Sequence, residues 1–96
     1  MAKRIGILLF DDVEELDAVG PWEVLAAWCR TWPDDGWDVT TFSVDGEVVT
    51  AAKGLQLVPH ASAADVGPLD VLLHPGGQGT RPMLQDEAHL ERVRGW

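Results

Sequence analysis

The sequence holds one cysteine, no tyrosine and seven lysine and arginine residues among 96, and each scarcity removes a class of answer. A single cysteine cannot form an internal disulfide and suits a reducing compartment. Seven basic against sixteen acidic residues leave a formal charge of -9, so the overall field repels nucleic-acid phosphates and anionic membranes. No apolar stretch approaches the ~20 residues of a membrane span. Lys3 and Arg4 ahead of the apolar residues 5–10 resemble a signal peptide only faintly, because the run is shorter than the usual ~7–15 residues and meets acids at once. A cytoplasmic location is expected. What is present, 46% hydrophobic and 24% charged residues, is the mix of a soluble globular protein: one small domain or part of a larger one.

Residues 5–10 form a continuous apolar run, which fits a strand covered on both faces of a parallel sheet. Asp12 with Glu15 three residues on resembles a capping box, so a helix is expected from about Val13 to about Thr31, closed by Trp32-Pro33. Within it Pro21 lacks the N–H that would bond the Asp17 carbonyl, and Gly20 eases a bend there. Trp22, Leu25, Cys29 and Trp32 fall at spacings of three and four, an apolar stripe for core or subunit contact. Residues 37–44 read as a second strand, Asp45-Gly46 as a hairpin turn and residues 47–50 as its return, with 54–59 extending the ribbon. Residues 61–66 read as a short helix or turn, broken by Gly67-Pro68. Residues 69–74 are a further buried strand running into Pro75-Gly76-Gly77-Gln78-Gly79. Residues 81–94 carry a weaker helical pattern with Met83, Leu84, Leu90 and Val93 inward. Strands alternating with helices imply a doubly wound α/β fold with a mostly parallel sheet.

The chemistry concentrates at the carboxyl ends of the two buried strands, where open α/β sheets bind ligands. Asp17 sits there beside the Gly20-Pro21 discontinuity, either as a site acid or as an acid complementing a helix dipole. The amides of the 75–79 glycine loop could hold an anion or an oxyanion, or the loop is a plain connection. A dinucleotide fingerprint fails because Pro82 stands where its third glycine belongs. A phosphate-receiver reading draws on Asp11-Asp12, but His74 occupies the acceptor's place. His60, His74 and His89 have no metal-ligand spacing, so no metal is expected. His60 and His89 read as surface residues, while His74 lines a pocket, shuttles a proton or is structural. Cys29 lies mid-helix on the apolar stripe, where burial suppresses the thiolate. No Gly-x-Ser-x-Gly elbow exists, and Asp11, Asp12, Glu14 and Glu15 read as a solvated helix start.

Leu16-Asp17-Ala18-Val19-Gly20-Pro21-Trp22-Glu23-Val24 and Leu69-Asp70-Val71 leading to Pro75-Gly76-Gly77-Gln78-Gly79 together resemble the ThiJ/PfpI superfamily of class I glutamine-amidotransferase-like proteins. The branch they resemble most is that of the isonitrile (isocyanide) hydratases. The resemblance implies a flavodoxin-like three-layer sandwich. In it Asp17 faces a cysteine on a strand-to-helix elbow, and Gly76 and Gly77 form an oxyanion-hole-like site, with His74 replacing the usual apolar residue. It implies attack of that cysteine on the isonitrile carbon, proton handling by the acid, and release of an N-substituted formamide by water. No cofactor is implied.

The elbow would follow the residue 81–94 helix and one more strand. Residues 1–96 are therefore expected to be the amino-terminal part of one such domain, truncated before the elbow and inactive as it stands. A small-molecule substrate or ligand and a homodimer of the complete domain are the expected partners, with no nucleic acid bound through this segment and no membrane. The alternative is the ligand-sensing domain of an AraC-type transcriptional regulator. Without the strand that would pair with residues 69–74, the chain alone is expected to dimerise, aggregate or fold only in part.

Overall fold

The computed structural model describes residues 3–95. The apolar run becomes β1 (Lys3–Leu8), with β2 (Trp37–Ser43) parallel on one side and β6 (Val71–Leu73) parallel on the other. Being central, β1 needs apolar side chains on both faces, which is why its pattern is continuous and not alternating. β5 (Ala61–Ser62) pairs parallel with β2 and completes a four-stranded sheet of order β5-β2-β1-β6. The core lies along this axis: Ile7, Leu8, Val13 and Phe42 are fully buried, and Leu9, Phe10, Ala18, Val49, Ala51 and Val66 join them. Gly6 admits the Leu69 side chain, whose methyls would lie 2.7 and 2.8 Å from a Cβ at that position.

α1 spans Glu15–Thr31 and runs through Pro21. Its end matches the expectation, but its start has no capping box: Glu14 takes the cap position without a side-chain bond. Asp12 is diverted because its N–H donates to the Thr50 carbonyl (2.9 Å), which sets it in the left-handed region at φ 64. Of the proposed stripe, Trp22 packs on the core, Leu25 and Cys29 are half-buried, and Trp32 is exposed.

The ribbon differs from the expectation. Residues 47–50 do not fold back on β2. Instead β3 (Val49–Thr50) pairs antiparallel with β4 (Gln56–Leu57) across a turn at Gly54. The cause is long-range: Thr50 N–H donates to Asp11 Oδ1 (2.9 Å) while Thr50 O accepts from Asp12, drawing β3 to the end of β1. Residues 61–66, expected as a short helix or turn, hold the short strand β5 and then a turn. The helix expected over 81–94 is two, α2 (Thr80–Met83) and α3 (Glu87–Gly95). Leu84, expected inward, lies in the break and is exposed.

Candidate active site

The segment after β1 and the glycine loop after β6 meet main chain to main chain. Glu14 N–H donates to Gly76 O (3.0 Å), Gly79 N–H to Asp12 O (3.3 Å), and Val13 and Gly77 form an isolated antiparallel bridge. This closeness requires glycine. At Gly77, with φ 126, a Cβ would sit 2.5 Å from Glu14 N; at Gly79 it would sit 2.2 Å from Asp11 O. Thr80 fixes the far side of the loop, its N–H and its hydroxyl both donating to Gly77 O at 3.1 and 2.7 Å.

Asp17, in the first turn of α1, projects over this loop: a Cβ on Gly76 would lie 3.1 Å from Asp17 Oδ2. The carboxylate is exposed, and no side-chain or main-chain donor among the described residues reaches it. The Gly77 N–H likewise has no main-chain acceptor among the described residues. The structure thus brings Asp17, Gly76 and Gly77 together, an acid beside a free amide on a preorganised loop.

The other acids are not merely solvated. Lys53, at the tip of the β3–β4 ribbon, donates its N–H to Glu15 Oε2 (2.7 Å), and its ammonium pairs with Glu14 (2.7 Å) and stands 3.9 Å from Glu15. The hydrogen bond from Lys53 holds Glu14 below the usual carboxylate range, and the same bond raises Lys53. The ribbon is thereby strapped to the start of α1, with its cation within electrostatic reach of Asp17.

His74 stands at the end of β6 with both ring nitrogens engaged: Nδ1 lies 3.0 Å from Pro75 O and Nε2 lies 3.1 Å from His89 Nε2. His89 is therefore not a surface residue; it is 2% exposed. Burial lowers its pKa below the ordinary 6.5, with His74 and Arg92 adding to the effect and Asp86 opposing it. A local helical pattern could not find it, because its partner lies fifteen residues earlier. The pair borders a cavity of about 370 Å³ walled by Met83, Leu84, Leu90 and Val93. His60 is exposed, and its Nδ1 accepts from the Thr41 N–H (3.1 Å). Among the described residues no three His, Cys, Asp or Glu side chains converge on a common point for a metal. Among the described residues no helix is long and apolar enough to cross a membrane.

The model of the DJ-1/PfpI family matches residues 3–95. The chain belongs to this family. It is 42% identical over 94 residues to the isonitrile hydratase of Pseudomonas putida, covering 98% of the present chain and 39% of the hydratase. The crystal structure of Drosophila melanogaster DJ-1beta superposes with a TM-score of 0.69 at 26% identity, covering 99% of the chain and 50% of the fly protein. An AraC family transcriptional regulator from Pseudomonas putida gives a TM-score of 0.63 at 26% identity, covering 94% of the chain and 61% of the regulator. The α/β fold with its four-stranded parallel sheet is thus the fold of half a DJ-1 structure. The chain spans about two fifths of the hydratase it matches.

Proposed function

We propose that these residues are the acid-bearing part of an isonitrile-hydratase-like DJ-1/PfpI domain. The observation that carries this reading is the Asp17 carboxylate set against the Gly76-Gly77 loop with no donor to it among the described residues, in a chain 42% identical to an isonitrile hydratase. A thiolate adding to an isonitrile carbon leaves the negative charge on that carbon, which takes up a proton to give a thioimidate; water then adds and the thiol leaves as the N-substituted formamide forms. Asp17 is positioned to supply and remove the protons, and the Gly77 N–H to stabilise developing negative charge. Cys29 is not that nucleophile: it lies on the far half of α1 from Asp17, half-buried on the helix flank. The thiol has to come from outside residues 1–96, so the chain by itself is inactive.

The reading includes a small-molecule substrate, a cytoplasmic setting consistent with the single cysteine, and a homodimer of the complete domain. Leu16, Val19 and Leu55 leave apolar surface around the start of α1 for that contact, with Val58 beyond Val19; Leu16 is 72% and Val58 74% exposed. A chimera tests it. This chain replaces the matching amino-terminal segment of the Pseudomonas putida isonitrile hydratase, and formamide release from an alkyl isocyanide is followed. Turnover that Asp17→Asn abolishes without unfolding the chimera is expected; a folded, inactive chimera overturns the reading.

The similarity to an AraC family regulator favours a second reading, in which the same loop and acid bind a ligand without turnover. A folded chimera that retains an isocyanide unchanged would support it.

A further inference from the structure

α1 does not seal against the sheet along its whole length. Ala18, 2% exposed, has only a methyl group to offer, and a cavity of about 220 Å³ lies between it, Trp22 and the sheet. Leu9 and Leu57 line this cavity from the core side, Thr41 and His60 form one wall, and the exposed Val19 and Val58 stand at its mouth. Neither Asp17 nor the glycine loop lines it, so it is separate from the site at the end of β6.

His60 sets the polar character of the wall. Its main-chain N–H donates to Thr41 O (3.0 Å) and lies 3.1 Å from Thr41 Oγ1. Its ring Nδ1 accepts the Thr41 N–H (3.1 Å), with the Thr41 hydroxyl 3.0 Å away. A main-chain N–H can only donate, so Nδ1 carries a lone pair and the ring hydrogen is on Nε2. Among the described residues this Nε2–H has no acceptor. The indole N–H of Trp22, whose ring lies 5.2 Å from that of His60 between centroids, has none either, whereas that of Trp28 donates to Asp35 (3.0 Å). Both Trp22 and His60 are open to solvent, so water serves these donors in the free protein, and an occupant has to replace it. No Asp, Glu, Lys or Arg lines the cavity.

These features define the occupant. An apolar cavity of about 150 Å³ takes benzene, so 220 Å³ has room for a six-membered ring with a short branch. A charged ligand would lose its hydration without meeting a counter-ion. An apolar side chain of a second copy, entering past Val19 and Val58, would strip water from the ring donors and give no acceptor back. We propose that this cavity is a binding site for a small uncharged aromatic or alicyclic molecule with a carbonyl group, its ring packed on Trp22 and its carbonyl oxygen accepting the His60 Nε2–H.

Titration of the whole ¹⁵N-labelled chain with acetophenone tests this, against isopropylbenzene, which has the same shape and no acceptor. Both are expected to bind saturably and to shift the Trp22 indole resonance. His60→Asn keeps an acceptor for the Thr41 N–H but lacks Nε2, and should weaken acetophenone about fivefold more than isopropylbenzene. Ala18→Leu fills the cavity and should abolish the binding of both. Should Ala18→Leu not fold, the His60→Asn comparison decides; should the chain alone give no dispersed spectrum, the hydratase chimera takes its place. Equal weakening of the two ligands by His60→Asn, undiminished binding in a folded Ala18→Leu variant, or no saturable shift at Trp22 would each overturn the site. Association of the chain that excludes acetophenone, and that Val58→Lys relieves, would also overturn it and assign the cavity to a second copy.

Discussion

Gly77 and Glu14 touch through their backbones, so closely that a methyl group on the Gly77 Cα would lie 2.5 Å from the Glu14 nitrogen. The contact is what registers the glycine loop against the turn that leads into α1, and so sets Asp17 over Gly76. It also separates two penalties that a glycine substitution usually mixes.

Gly54 also has a positive φ, 94, but nothing lies within 4 Å of a Cβ there. Gly54→Ala should therefore carry backbone strain alone, about 1–2 kcal/mol. Gly77→Ala adds a clash with main-chain atoms that cannot rotate away, and a loss of about 3 kcal/mol or more is expected. Urea unfolding followed by tryptophan fluorescence measures both. Equal losses would mean that the two loops do not meet.

The buried strand β1 and the pairing of Asp17 with the glycine loop were legible because each rests on local pattern: a continuous apolar run, a helix start just past it, glycines just past its neighbour. β6 was legible as a strand but is not buried, since it is the outer strand with Val71 exposed. The β3–β4 ribbon was not legible. Asp45-Gly46 has the residues of a hairpin turn, and Gly46 does close on Ser43 O (3.3 Å). Yet Thr50 is claimed by Asp11 and Asp12, nearly forty residues away, and that claim decides the partner of β3. His89 misled for the same reason. It read as a surface residue beside the inward Leu90, while in the fold it is buried and meets His74, fifteen residues earlier.

Gly6 and Leu69 make a second coupling that can be measured. A Cβ on Gly6 would overlap the Leu69 methyls at 2.7 and 2.8 Å and press on Phe42 at 3.1 Å. Gly6→Ala should destabilise the chain by about 1–3 kcal/mol through overpacking. Leu69→Ala alone should also destabilise, by leaving a gap against β1. Combined, the two changes relieve each other, and the double variant should lose less than the sum. Additive losses in a urea-unfolding cycle would show that Leu69 does not fill the space above Gly6.

Asp70 ties β6 to β1 through the main chain. Its Oδ2 accepts the Arg4 N–H (2.7 Å) while its own N–H donates to Arg4 O (2.8 Å). The acceptor, not the charge, is what this clasp uses. Asp70→Asn should hence change stability by less than about 0.5 kcal/mol, whereas Asp70→Ala should lose about 1 kcal/mol. The Arg4–Asp38 pair, with both side chains 41% exposed, is worth at most about 1 kcal/mol. A large loss in Asp70→Asn would show that the carboxylate charge matters after all.

Association of the chain is expected to start from one of two surfaces, and the two predict different rescues. β6 is the outer strand of the sheet, three residues long, with Val71 partly exposed and the 370 Å³ apolar cavity alongside. Its unpaired N–H and C=O groups are a template for another strand. The second surface is the apolar patch of Leu16, Val19 and Leu55 at the start of α1, with Val58 beyond Val19. Because backbone pairing at an edge is blunted by a charged side chain, Val71→Lys should lower the associated mass seen by light scattering at micromolar concentration if the edge drives it. Leu16→Lys should do so if the patch drives it, by removing apolar area that a dimer would bury. The edge is expected to dominate, since unsatisfied backbone groups beside an apolar cavity leave pairing as the only way to bond them away from water. A monodisperse monomer with a single cooperative melt in the unmodified chain would remove both routes.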